Sequence, residues 1–224
     1  MAIRRIRITI HFRTVGPVTR VCTKCDPDGR FGRANLVSDE HAIYQSLSDF
    51  LVSEFAQNVK PRFGSCRVFV EDTARLQAPN GGRWSRPDVS AIAIIRARFE
   101  PNVRIELMTF EVKTQRGGSQ LTSVYEALSH NRFANRSFLV WNRDTCTCEA
   151  GDSFNEIDAC CDSNGIGLIT VHDPNDRRTF KIWRDARLRS LDPRDLDEFI
   201  VSRFSEVNQR AIETAISQFM SRGP

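Results

Sequence analysis

Apolar and polar residues alternate from residue 3 to 13. Ile6, Ile8, Ile10 and Phe12 fall on one side and Arg7, Thr9, His11 and Arg13 on the other, which predicts a half-buried strand. Residues 18–22 can pair back onto it across the Gly16-Pro17 turn, so an N-terminal β segment is expected over residues 1–37. From Asp39 the period changes. Ile43, Leu47, Phe50, Leu51 and Phe55 recur at helical spacing and predict a helix over 39–58, with Ser38 as its N-cap and Pro61 as its stop. Strands are then expected over 66–70, 89–95 and 104–113, the second nearly all apolar, as in a strand covered on both faces. A helix over 119–133, a strand over 137–141, a helix over 154–161 and strands over 166–171 and 180–183 follow. Asp192-Pro193 opens a terminal helix with a broad apolar face that includes Leu196, Phe199, Ile200, Phe204, Val207, Ala211, Ile212 and Ile216. The order predicts an α/β fold, a mixed central β-sheet flanked by helices, with the N-terminal β segment and a C-terminal helical extension added to it. The expected divisions are 1–37, a core over 38–185, and 186–224, the last packed on the core or on a partner.

Composition narrows the class. With 224 residues, 40% of them hydrophobic and 27% charged, the chain can bury a core. Twelve Gly and nine Pro exclude collagen, no apolar run is long enough for a membrane span, and no secretory leader follows Met1, so the expected compartment is the cytoplasm. Seven cysteines without regular spacing argue against a disulfide scaffold. The net charge of +4 decides no partner by itself, but it is compatible with one concentrated cationic face. Arginine is the ordinary cation. Lysine occurs only at Lys24, Lys60, Lys113 and Lys181, where a compact ammonium can have a use that a planar guanidinium lacks.

Chemistry gathers at Pro87-Asp88, which opens one apolar strand, and at Glu111-Val112-Lys113, which ends the next. Residues two apart in a strand share a face, so Glu111 and Lys113 project together while Phe110 and Val112 point into the opposite layer. If the two strands pair antiparallel through the turn at Pro101-Asn102, Asp88 arrives beside Glu111. Two hard oxygen ligands and an ammonium suit phosphodiester hydrolysis: the carboxylates can hold Mg²⁺ and the lysine can orient or help activate a water. Chain direction also brings Glu40, at the start of the first helix, to the same end of the sheet as an accessory carboxylate. The Gly-rich turn after Lys113, with Arg116 and Gln120, reaches that end too, where its amides can receive phosphate oxygens. Arg83, Trp84 and Arg86 from the preceding loop would complete a cationic and aromatic face for a nucleic-acid backbone.

In Arg86-Pro87-Asp88-Val89 and Phe110-Glu111-Val112-Lys113 the chain resembles the PD-(D/E)xK, or restriction-endonuclease-like, nuclease superfamily, over roughly residues 38–171. The resemblance implies a restriction-endonuclease-like core and divalent-metal-dependent cleavage of DNA. It makes Asp88 and Glu111 metal ligands and Lys113 the catalytic lysine, and it supports Glu40 as a further ligand for Mg²⁺, with Mn²⁺ as a substitute. Some relatives carry Gln and Tyr on the helix after the lysine with three residues between them; here Gln120 and Tyr125 have four. The Glu-x-Lys triplet is short, and what singles it out is that its lysine ends an apolar strand while Pro-Asp opens the neighbouring one.

Other candidates are weaker. Cys22, Cys25, Cys146 and Cys148 have spacings that could build a structural Zn²⁺ site, with free thiols the preferred reading. His11, His41, His130 and His172 form no known metal or triad pattern and read as structural. His130, at the far end of its helix, is expected away from Lys113. Two other classes stay open beside the DNA nuclease: a non-catalytic nucleic-acid-binding or assembly module, and an RNA-directed nuclease. The terminal helix can serve as core or as the seam of a homodimer.

Overall fold

The computed structural model describes residues 39–74, 86–143 and 151–221. The β segment expected over 1–37, Ser38, Arg83 and Trp84, and all four cysteines of the proposed zinc site lie outside these residues, as does the side chain of Arg116.

The first helix, α1 (His41–Phe50), runs through a wider π-helical turn (Leu51–Phe55) into a last α-helical turn, α2 (Ala56–Val59). Asp39 accepts the His41 amide at 3.0 Å, satisfying one of the unpaired donors at the helix start. The helix ends where Lys60 turns extended, the conformation that the following Pro61 favours. Ile43, Leu47, Leu51 and Phe55 are all buried, so the apolar stripe read from the sequence is the face that meets the sheet.

Six strands hydrogen-bond in chain order: β1 (Gly64–Asp72), β2 (Val89–Ala97), β3 (Arg104–Lys113), β4 (Arg136–Asn142), β5 (Gly167–Val171) and β6 (Lys181–Arg184). β1, β2 and β3 form an antiparallel meander, β4 and β5 run parallel to β3, and β6 turns back along the edge. The sheet is therefore mixed and open. Between β3 and β4 lie a short helical turn, α3 (Gln115–Gly118), then α4 (Leu121–Ser129) and a 3₁₀ turn (His130–Arg132); α5 (Gly151–Asn164) links β4 to β5. The chain ends in α6 (Pro193–Arg203) and α7 (Glu206–Ser221).

Strand alternation sorts the core into layers. Val89, Ala91, Phe110, Val112, Phe138 and Val140 face α1 and the π-helical turn that continues it, where Phe55 meets Phe110 and Phe138 edge to face. Ile92, Ile94 and Leu107 face α6 and α7, and Leu139, Trp141 and Leu168 face α4 and α5. Because β2 is covered on both sides, its sequence is apolar without alternation.

Two helix expectations need correction. The helix expected over 119–133 begins only at Leu121, after the extended Gln120, and its α-helical part ends at Ser129, where a 3₁₀ turn takes over. The terminal helix is two, because Phe204 leaves helical geometry to bury its ring near Phe199. That break resets the helical phase, which is why Val207, expected on the apolar face, is exposed. Among the described residues, no helix is long and apolar enough to cross a membrane.

Candidate active site

The register of β2 and β3 sets Val89 opposite Phe110, so Asp88, one residue before β2, stands beside Glu111. Asp88 is anchored from three directions. Its Oδ2 accepts the Val112 amide at 2.8 Å, and it also receives the hydroxyl of Tyr44 from α1. Its own carbonyl accepts the amide of Thr73, just beyond β1, at 3.0 Å. The fully buried Thr73 hydroxyl donates to the Pro87 carbonyl at 2.8 Å and meets the Ser90 hydroxyl at 3.0 Å. The Pro-Asp corner is thus held by the ends of both neighbouring strands.

Lys113 lies on the same face as Glu111 and donates to its Oε1 at 2.6 Å. The same ammonium reaches Glu126 Oε2 on α4 at 2.9 Å. Glu40 joins them, as chain direction suggested: its carboxylate accepts the Thr114 amide and lies in the fields of Lys113 and Asp88. Expected and observed positions differ for His130. Far from being remote, its Nε2 is 3.8 Å from Glu111 Oε2, with the ring buried. The reason is the length of α4: nine residues rise only about 13.5 Å, so its end stays within reach of β3.

The electrostatics follow from burial and crowding. Burial and the neighbouring Asp88 push Glu111 well above the usual carboxylate range, against the pull of Lys113. Asp88 is raised by burial, with the Val112 amide and Lys113 opposing. Burial also raises Glu40. For Lys113 burial disfavours the charge, but Glu111, Glu126 and Glu40 outweigh it and hold the ammonium more firmly protonated than a free lysine. Burial, aided by Arg132 and Lys113, lowers His130 to about 3, so the imidazole is neutral.

The remaining expected site residues are less closely drawn in. Gln120 is exposed, and Arg86 is exposed beside Arg203, whose own pKa is lowered by burial and by Arg86. The amides of Gly118 and Gln120 are bonded to Thr114 and Gly117 carbonyls, so these two are not open to a phosphate as the Gly-rich sequence suggested. The turn instead packs closely: a Cβ on Gly118 would sit 2.0 Å from the Trp141 ring, and one on Gly117 would sit 3.3 Å from Lys113 Cδ. Glu54, further along the same helical segment, points elsewhere and pairs with Arg177 at 3.4 Å.

Sequence reasoning missed Tyr44, Thr73, Glu126 and His130. Two of them carried a signal. Tyr44 lies four residues after Glu40, and His130 four after Glu126, the spacing at which side chains share a helix face.

Among the described residues, no three His, Cys, Asp or Glu side chains are gathered so as to hold a metal ion by themselves. Asp88 and Glu111 nonetheless fit Mg²⁺, which commonly takes only one or two carboxylates and fills its shell with water and substrate oxygens. Burial raises both carboxyl groups, Glu111 with the help of Asp88, and a cation bound between them would relieve that cost.

No family model matches the chain, and no curated protein matches it. Among solved structures it is similar to the SPO1766 protein of unknown function from Silicibacter pomeroyi, with 13% identity and a TM-score of 0.44, over 84% of this chain and 97% of that one.

Proposed function

We propose that this protein is a divalent-metal-dependent nuclease with a restriction-endonuclease-like core, and that it hydrolyses phosphodiester bonds in DNA. The observation that carries the reading is the meeting of Asp88, Glu111 and Lys113 at the adjoining ends of two antiparallel strands, with Glu40 beside them. Asp88 and Glu111 would hold the ion, with Glu40 as an accessory ligand. Bound there, Mg²⁺ or Mn²⁺ would supply positive charge at the scissile phosphate and lower the pKa of a coordinated water.

The chain's own residues divide the other tasks. The Val112 amide and the Tyr44 hydroxyl fix the direction of Asp88. Lys113, whose proton is held by its carboxylate neighbours, is poorly suited to act as a base. It orients the attacking water through its N–H donors and offsets the negative charge that grows on the phosphate. Glu126 steadies the ammonium, so that Lys113 keeps a partner when Glu111 turns to an ion. Arg86, Arg116 and Gln120, with Arg83 and Trp84, would hold the nucleic-acid backbone.

The test is nicking of supercoiled plasmid in Mg²⁺, in Mn²⁺ and in chelator. The wild-type protein should nick only with the divalent ion, and Asp88→Ala and Lys113→Ala proteins with wild-type circular dichroism should lose at least about a hundredfold in rate, the scale of removing one electrostatic stabiliser. Metal-independent cutting, or full activity in both variants, would reject the assignment. An RNA substrate run in parallel separates a ribonuclease from a deoxyribonuclease.

A further inference from the structure

We propose that His130 is a positioning residue for Glu111, its Nε2–H directed at the carboxylate oxygen that Lys113 leaves free; this rests on the reading of Glu111 as a metal ligand. His130 follows directly on α4 and is 1% exposed. Neither ring nitrogen has a hydrogen-bond partner, although a buried polar group left without one costs about 1–3 kcal/mol. The neighbouring Phe133 ring, 5.6 Å away, marks surroundings in which an aromatic hydrocarbon could be accommodated without that cost.

What distinguishes the site from an ordinary core position is Glu111. Its Oε1 is bonded to Lys113 at 2.6 Å, while its Oε2 has His130 Nε2 at 3.8 Å, longer than a hydrogen bond and too close for an intervening water. A modest turn of the carboxylate closes that gap. The imidazole then donates to Oε2 while the oxygen's other lone pair stays open to a cation. Carboxylates that ligate metals are themselves held by such hydrogen bonds, and losing the outer partner typically weakens metal binding by about 10–100-fold.

The experiment is calorimetric titration of the full chain with Mn²⁺ at neutral pH, alongside thermal melting without metal. His130→Phe should bind Mn²⁺ about tenfold or more weakly than wild type, yet melt at the same temperature or higher, because an unpaired polar group has been replaced by a hydrocarbon. His130→Gln, whose amide nitrogen can approach the place of Nε2, should restore most of the affinity. Should His130→Phe fail to fold, His130→Asn, whose amide stops short of that place, should show the same loss of affinity. Nitrogen-15 spectra of the wild-type ring should show the neutral tautomer protonated at Nε2. Unchanged Mn²⁺ affinity in the folded Phe or Asn variant, or protonation at Nδ1 alone, overturns the role of His130 while leaving Asp88 and Glu111 as ligands. If the wild-type protein binds no Mn²⁺ and does not nick, the metal reading falls and this inference falls with it.

Discussion

Asp88 shows how a buried carboxyl group can work against the fold that carries it. It is held by the Val112 amide and the Tyr44 hydroxyl, yet burial leaves it harder to ionise than a free aspartate, and Glu111 and Glu40 share that condition. A carboxyl whose pKa is raised by folding binds its proton more tightly in the folded state. Its contribution to stability is therefore greatest below the ordinary carboxyl range, about pH 4, and is lost as pH rises through the elevated value. Lys113 has the opposite charge type: its raised pKa favours the fold throughout the acid and neutral range and loses that benefit only in strong alkali. In the absence of divalent ions, Asp88→Asn should therefore melt a few degrees higher than wild type at pH 8, with a shallower decline in melting temperature from pH 5 upward. The asparagine keeps an oxygen for the Val112 amide, so the anchor survives. Saturating Mn²⁺ should raise the wild-type melting temperature and leave that of Asp88→Asn nearly unchanged, which scanning calorimetry can read directly.

At the scale of elements, the corner depends on close contacts between consecutive pieces of chain. β3 ends in Lys113, and α3 folds back at once so that Gly117 lies against the lysine stem and Gly118 against Trp141 on β4. Trp141 Nε1 donates to the Gln115 carbonyl at 3.1 Å, and the Ser123 hydroxyl to the Gly117 carbonyl at 2.8 Å, fastening the turn from both sides. A methyl group at Gly118 has no room, because Trp141 is buried and cannot withdraw. Gly118→Ala should cost about 1–3 kcal/mol in urea denaturation, as overpacking of a buried contact does. Gly117→Ala meets only the flexible lysine stem and should cost much less, so the pair of variants separates steric exclusion from a general need for glycine.

Over the whole molecule, the hydrophobic pattern gave the mixed sheet because its strands carry distinct signatures: β2 is apolar from Ala91 to Ile95, and β3 ends with Phe110 and Val112 inward and Glu111 and Lys113 on the other face. The meeting of Asp88 with Glu111 was readable for the same reason, since one antiparallel turn fixes it. What was not readable depended on breaks in helical phase. The length of α4, which the 3₁₀ turn at His130 ends, decides that Glu126 and His130 meet β3, and Phe204 resets the C-terminal pair of helices and exposes Val207. Such breaks are decided by the room between packed layers, a quantity absent from local periodicity.

The double hold on Lys113 also bears on its chemical reactivity. An amine attacks an electrophile only after giving up its proton, and this one is paired with Glu111 and Glu126. Brief treatment with an acylating reagent at mildly alkaline pH should therefore modify the exposed Lys60 and Lys181 while sparing Lys113, a difference that peptide mass spectrometry would resolve. In Glu126→Gln the amine loses one of its two anions and should become measurably more open to acylation. The labelling of a single peptide would then report how firmly this corner keeps its charge.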